Sequence, residues 1–173
     1  SMPVTGSTGS GVESEMSSTS NQALSAAYLA RRGVSAQWRA FLRALVETLD
    51  DHLDEAGRAG LMRAIGGRMA DAAPLPHCGT LAEMEGRIND ALAAAEWGYA
   101  ELLVDTGARR LIVRHHAAPT LAAGTHSDGA WISPVLEGLY ARWFAAQPGA
   151  DGGMKPVVAS YAPGQATLHY GRG

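Results

Sequence analysis

The chain has 173 residues, of which 46% are hydrophobic and 18% charged, and its formal net charge is −3. That balance supplies no positive field for nucleic acid or an anionic lipid surface, and no run of about 18 apolar residues marks a membrane span. The single cysteine, Cys78, rules out an internal disulfide and agrees with a reducing compartment.

Charge is sparser than the roughly 25% usual for soluble domains, which fits either surface hidden between subunits or an alanine-rich composition. The N-terminus lacks the basic-then-apolar order of a secretory signal, so a cytoplasmic protein is expected. Residues 1–20 are rich in Ser, Thr and Gly and read as a flexible arm. Ser1 ahead of Met2 has the look of a cleaved-tag remnant, with Met16 as an alternative start. Residues 21–34 read as a weak helix over Gln22–Arg32, carrying Leu24, Tyr28 and Leu29, and a linker after Gly33. Residues 35–173 form the expected single domain.

Within it, Trp38, Phe41, Leu42, Leu45, Val46, Leu49 and Leu53 follow one helical face for five turns. Arg39, Arg43, Glu47 and Asp51 read as the solvated back of that helix. Leu61, Met62, Ile65 and Met69 mark a second helix that ends near Asp71, joined to the first through Asp54–Gly60 as a hairpin. Gly66-Gly67 inside it costs about 1 kcal/mol per glycine relative to alanine, so either a close helix contact or a local break is expected. Thr80-Leu-Ala-Glu83 is a capping box, and Leu81, Met84, Ile88, Leu92 and Ala95 continue as a third core helix.

From Trp97 the period changes to two, and Ala100, Leu102 and Val104 face Leu111–His115 across a turn at Gly107. A loop over Pro119–Gly129 leads to Trp131–Phe144, where Ser133 is the expected cap and Pro134 the first helical residue. Val135, Leu136, Leu139, Tyr140, Trp143 and Phe144 form its apolar stripe, and Gly138, Ala141 and Ala145 a back almost free of bulk. That back suits close contact with another backbone, so Gly138, Ala141, Arg142 and Ala145 are candidate oligomer-interface residues. Pro156–Tyr161 and Gln165–Tyr170 read as a closing hairpin about Pro163-Gly164. The fold class is therefore α+β, with N-terminal helical hairpins, a small antiparallel sheet from two hairpins, and one helix between the hairpins.

Little of the chain reads as catalytic. His115 and His116 leave opposite faces of a strand, and with His126, Asp128, His77 and Cys78 they match no compact metal module; surface imidazoles are expected, and no metal or other cofactor. Cys78 lacks a nucleophile's setting and reads as an inert thiol. Asp50, Asp51, Asp54 and Glu55 resemble paired glycosidase carboxylates only superficially and read as a solvated acidic rim. Gly6–Gly11 has neither the preceding strand nor the lysine of a phosphate loop. Glu137 has no basic partner four residues on, leaving pairing across the fold, pairing across an interface, or simple exposure. Tyr28, Trp97, Trp131 and Tyr170 stand apart from the core stripes as candidate stacking platforms for a sugar ring.

At Gly129-Ala-Trp131, Pro134-Val-Leu-Glu-Gly-Leu-Tyr140 and Arg142-Trp143 the chain resembles the D-subunit family of bacterial cellulose synthase. Phe41-Leu42, Asp50-Asp51, Gly67-Arg-Met69 and Trp97-Gly98 agree in order, and the resemblance spans about Ser35 to Tyr170. It implies a non-catalytic accessory subunit of the cellulose synthase complex, not an enzyme. By the same resemblance, α+β protomers pair and stack into a homo-octamer with passages for nascent β-1,4-glucan chains. The residues at the matching place before the long helix are Arg32, Gly33, Val34, Ser35 and Gln37. The implied partners are further copies of the chain, the glucan and other synthase subunits, with no nucleic acid and no direct membrane insertion. The implied place is the cytoplasm, beside the inner-membrane complex. A protein-binding adaptor that never touches glucan, or a small carbohydrate-active enzyme, is the alternative.

Overall fold

A computed structural model describes residues 33–172 of the chain. The expected arm, the helix over Gln22–Arg32, Tyr28 and the site candidate Arg32 lie outside those residues. In order come α1 (Ala36–His52), α2 (Glu55–Ala72), α3 (Leu81–Ala95), β1 (Tyr99–Asp105), β2 (Arg110–His116), a short 3-10 turn (Ala130–Ile132), α4 (Ser133–Ala145), β3 (Val157–Ala162) and β4 (Gln165–Gly171).

Local chemistry accounts for most boundaries. The carbonyl of Ser35 starts α1 by accepting from the amides of Trp38 and Arg39, both at 3.1 Å. Asp54 caps α2, its Oδ1 accepting from the Gly57 amide at 2.7 Å, so α2 begins six residues earlier than its apolar pattern alone suggested. Thr80 caps α3 through the Glu83 amide at 3.1 Å; the Glu83 carboxylate returns to the amide of Gly79 instead of closing the box on Thr80. Ser133 departs from its expected role. It is already helical and its side chain makes no cap bond, because the preceding 3-10 turn starts the helix early and Asp128 Oδ1 takes the Ala130 amide at 3.0 Å.

The two hairpins merge into one antiparallel sheet of order β1-β2-β4-β3, since β2 pairs with β4 from Arg110↔Gly171 to His116↔Gln165. Pro163-Gly164 turns β3 into β4, with Gly164 at φ 76, where a side chain would be strained. Helix side chains bond to part of each sheet edge. Asn89 of α3 accepts from the Ala100 amide at 2.7 Å and donates to its carbonyl at 2.9 Å, and Glu85 takes the Leu102 amide at 2.8 Å. On β3, Glu137 takes the Val158 amide at 2.9 Å. An edge treated in this way is a poor template for a further strand.

Helix α4 lies at the centre and is buried around nearly its whole circumference, from Val135 to Tyr140 without a break. One side packs Leu136, Leu139, Tyr140, Trp143 and Phe144 against Ile88 and Leu92 of α3 and Leu102, Val113, Ala166 and Leu168 of the sheet. Its other side crosses α2 at backbone contact. A Cβ on Gly66 would overlap the Val135 carbonyl oxygen and lie 2.7 Å from the Leu139 amide nitrogen; one on Gly138 would overlap the Arg63 carbonyl. Helix α2 runs unbroken through Gly66-Gly67, so the close-contact alternative for that pair holds.

The same geometry corrects the expectation for Gly138. Its close partner is α2 of the same protomer, not a neighbouring copy, because the bare backbone there is already filled by Arg63. A second correction concerns α1, whose apolar stripe does not all face the core. Val46 is buried, and Leu42, Leu49 and Leu53 are half-buried, but Trp38, Phe41 and Leu45 are 54%, 56% and 38% exposed. The buried side runs through Leu42, Val46, Leu49, Asp50 and Leu53; Arg39, Arg43, Glu47 and Asp51 are exposed as the solvated back, though Arg43 Nε also donates to the Ala122 carbonyl of the loop after β2 at 3.1 Å. Ala95, counted with the core, is exposed as well, and so is Val104, which shares the strand parity of the buried Ala100 and Leu102.

Replacement of Gly138 by alanine is expected to lower protomer stability by about 1–3 kcal/mol, and Gly138→Leu to abolish the folded state. Chemical denaturation followed by circular dichroism checks this, and an unchanged midpoint for Gly138→Ala would refute the crossing.

Candidate functional site

Four surfaces are candidates: the entrance to α1, the groove beside it, the apolar face of α1 and α2, and the groove along α4. At the entrance, Gly33, Ser35 and Gln37 are exposed and Val34 is buried. The side chain of Ser35 makes no cap bond, leaving its hydroxyl to other partners.

Directly after Gln37 on α1, Arg39 and Arg43 form one wall of a groove of about 380 Å3; the loop residues Thr120, Leu121, Ala122, Ser127 and Asp128, with Pro163, form the other. Tyr161 steadies this loop by donating to the Asp128 carbonyl at 3.0 Å, and Trp131 Nε1 donates to the Leu121 carbonyl at 2.7 Å. Beneath it, Arg58 and Asp50 form an ion pair at 2.9 Å with only 8% and 20% of their side chains exposed. Asp50 is thus part of the structure, and Asp54 is a helix cap; only Asp51 and Glu55 of the expected acidic rim are simply exposed.

On the apolar face, Trp38 and Phe41 meet edge to face at 5.7 Å. Leu45 continues them along α1, while Leu61 and Ile65 of α2 are 46% and 42% exposed. Periodicity placed Trp38 in the core; it is the most exposed tryptophan the chain has among the described residues. The aromatics left as candidate platforms serve structure instead: Trp97 packs on the core, Trp131 holds the loop, and Tyr170 lies 4.9 Å from Phe144.

Along α4, Ala141 is half-buried and Arg142 and Ala145 are exposed. They line a groove of about 580 Å3 with Arg63, Lys155 and Val157. Arg142 lies 3.7 Å from Asp71. Glu137 pairs across the fold, accepting from Arg63 Nε at 3.1 Å and from the Val158 amide.

The chemically conspicuous side chains are thus engaged in fixed bonds. His115, expected at the surface, is buried: Nε2 lies 2.7 Å from the Trp97 carbonyl and Nδ1 2.5 Å from Tyr140 Oη. A carbonyl can only accept, so Nε2 carries the proton and Nδ1 accepts from Tyr140. Burial lowers the His115 pKa to about 4, the Trp97 carbonyl opposing and His116 adding to the shift. Burial likewise pushes the Tyr140 phenol up. His116, on the opposite face, stacks on Tyr99 at 4.8 Å, 3.3 Å from Glu101. Cys78 donates from Sγ to the Pro76 carbonyl at 3.2 Å in a half-exposed connector. Among the described residues no group of three His, Cys, Asp or Glu side chains is placed to hold a metal.

The family model for the D subunit of cellulose synthase matches residues 24–171. The chain belongs to the cellulose synthase D-subunit family. Relatives named cellulose synthase operon protein D include one from Komagataeibacter xylinus and one from Komagataeibacter sucrofermentans, each 38% identical over 114 residues. Another from Komagataeibacter xylinus is 33% identical over 112 residues; in all three the match covers 65% of this chain and 72% of the relative. The segment that carries the resemblance, Gly129 to Trp143, is the central helix and its approach, where Gly138 and Glu137 fix α2 and β3. No helix among the described residues is long and apolar enough to cross a membrane.

The buried histidine makes stability depend on acid. Its folded pKa lies below the ordinary 6.5 of the unfolded chain, so its contribution is complete above pH 6.5 and is lost as pH falls toward 4. Between pH 7.5 and 5 the loss is expected to be about 2 kcal/mol. Urea melts at both pH values measure it: His115→Gln should show a smaller difference than the parent, and equal differences would contradict the burial of a neutral imidazole.

Proposed function

We propose that the chain is a non-catalytic accessory subunit of the bacterial cellulose synthase complex. In this reading copies of it pair and close into an octameric ring whose passages guide nascent β-1,4-glucan chains toward export and crystalline packing. The observation that carries the assembly is the exposure of large apolar side chains, Trp38, Phe41 and Leu45 along one side of α1 and Leu61 and Ile65 on α2. Large apolar side chains gathered on one surface are what a partner covers. Because both sheet edges are already bonded to Asn89, Glu85 and Glu137, association through helix faces is favoured over strand addition.

Glucan contact is assigned to Gly33, Val34, Ser35 and Gln37, with Arg32 before them. A conduit needs many weak contacts, since a chain held tightly could not slide. Backbone groups and short polar side chains at the α1 entrance suit that need. Ala141, Arg142 and Ala145 remain proposed as a second interface along the α4 groove, without Gly138. The absence of catalysis is supported by what the titratable groups do: His115, Glu137, Asp50 and Asp54 are each committed to a structural bond. Association with the inner-membrane complex from the cytoplasmic side belongs to the same proposal, with Cys78 free as in a reducing compartment.

Phe41→Glu places a charge on the exposed face and should alter protomer stability by no more than about 0.5 kcal/mol. Sedimentation should show the parent as an octamer and the variant as smaller species. A parent that sediments as a monomer would favour the adaptor reading, and an octameric variant would remove this face from the interface.

A further inference from the structure

The groove between α1 and the loop after β2 has a chemistry of its own. Arg43 is oriented by its Nε bond to the Ala122 carbonyl, which leaves the terminal nitrogens of the guanidinium free to point elsewhere. Arg39 makes no ion pair among the described residues and stands one turn away on the same wall. Across from them, Asp128 commits one carboxylate oxygen to the Ala130 amide and keeps the other. Ser127 adds a hydroxyl, and Leu121 and Pro163 add apolar surface.

We propose that this groove is a glucan subsite that grips pairs of neighbouring sugar hydroxyls; the inference rests on the glucan-guiding reading above. Three features argue for a neutral polyol over an anion. First, guanidinium and carboxylate stand on opposite walls, so a hydroxyl can accept from one and donate to the other, whereas a phosphate would be repelled by Asp128. Second, the Arg39 guanidinium offers two parallel N–H donors, which match two adjacent equatorial hydroxyls of a β-linked glucose unit, and the second oxygen of Asp128 can accept from a further hydroxyl. Third, the volume of about 380 Å3 lies near the small end of ligand sites and the groove is only partly enclosed, as a track requires. Its place also fits. Arg39 follows Gln37 by two residues, so the groove continues the surface assigned to Gly33–Gln37.

Arg39 is exposed and its head makes no structural bond among the described residues, so Arg39→Met removes donors while sparing the fold. Titration calorimetry of the full chain with cellotetraose is the test, with Arg39→Met, Asp128→Asn and, on the opposite sheet face, Arg114→Ala as a control. The expected result is binding by the parent, weakened at least fivefold in Arg39→Met and Asp128→Asn and unchanged in Arg114→Ala, with sodium pyrophosphate failing to compete. If Arg39→Met retains the parent affinity, or only Asp128→Asn loses it, the subsite is refuted while the glucan reading stands. Pyrophosphate that binds and displaces cellotetraose would make the groove an anion site and overturn the inference. A parent that does not bind cellotetraose removes the subsite and the glucan reading together.

Discussion

The backbone crossing of α2 and α4 at Gly66 and Gly138 is the contact on which the protomer depends. Bare glycines let the two helices approach until carbonyl and amide groups touch, and neither position has space for a Cβ. Such closeness costs helix propensity, about 1 kcal/mol per glycine relative to alanine, and is stabilised by dense packing over the crossing. Its consequences reach both directions from α4. On the α2 side it brings Arg63 to Glu137, whose second oxygen holds β3 by the Val158 amide. On the sheet side it seats Tyr140 against His115, and His115 in turn fixes the Trp97 carbonyl at the entry to β1.

A protomer organised in this way is satisfied through its centre and along its sheet edges, and unsatisfied on one helical flank. Helix α1 is attached through Val46, the Arg43–Ala122 bond and the Asp50–Arg58 pair. Turning that side inward turns Trp38, Phe41 and Leu45 outward, and Leu61 and Ile65 of α2 are exposed as well. Attachment through Val46 and two polar contacts on one side and apolar exposure on the other are therefore one structural choice. It leaves a greasy flank for partners and a polar groove adjoining the α1 entrance, the two surfaces a self-assembling guide for a polysaccharide would use.

Much of this was legible in the sequence. The α+β order, the two hairpins and the core roles of Ile88, Leu92, Leu136 and Leu139 follow from the periods of two and 3.6. The caps at Thr80 and Asp54 are local chemistry, though only the first was marked by a full motif. What failed was orientation. A stripe as wide as that of α1 does not say which of its flanks meets the core, and the deciding contacts, Arg43 to Ala122 and Asp50 to Arg58, are polar and distant in sequence or sit across a helix boundary. Gly138 was recognised as a place of close backbone approach, but sequence could not tell a neighbouring helix from a neighbouring protomer. His115 carried no signal of burial beyond its inward register two residues after Val113, where alternation should have weighed more than its charge-bearing type.

The claim that this flank is covered by further copies of the chain is tested most directly by electron cryomicroscopy of the untagged full-length particle at working concentration. The account predicts a closed hollow ring in which Trp38 and Phe41 of each protomer are buried against a neighbour and the α1 entrances open onto the passages. Single protomers, or a ring whose Trp38 and Phe41 remain in solvent, would contradict it.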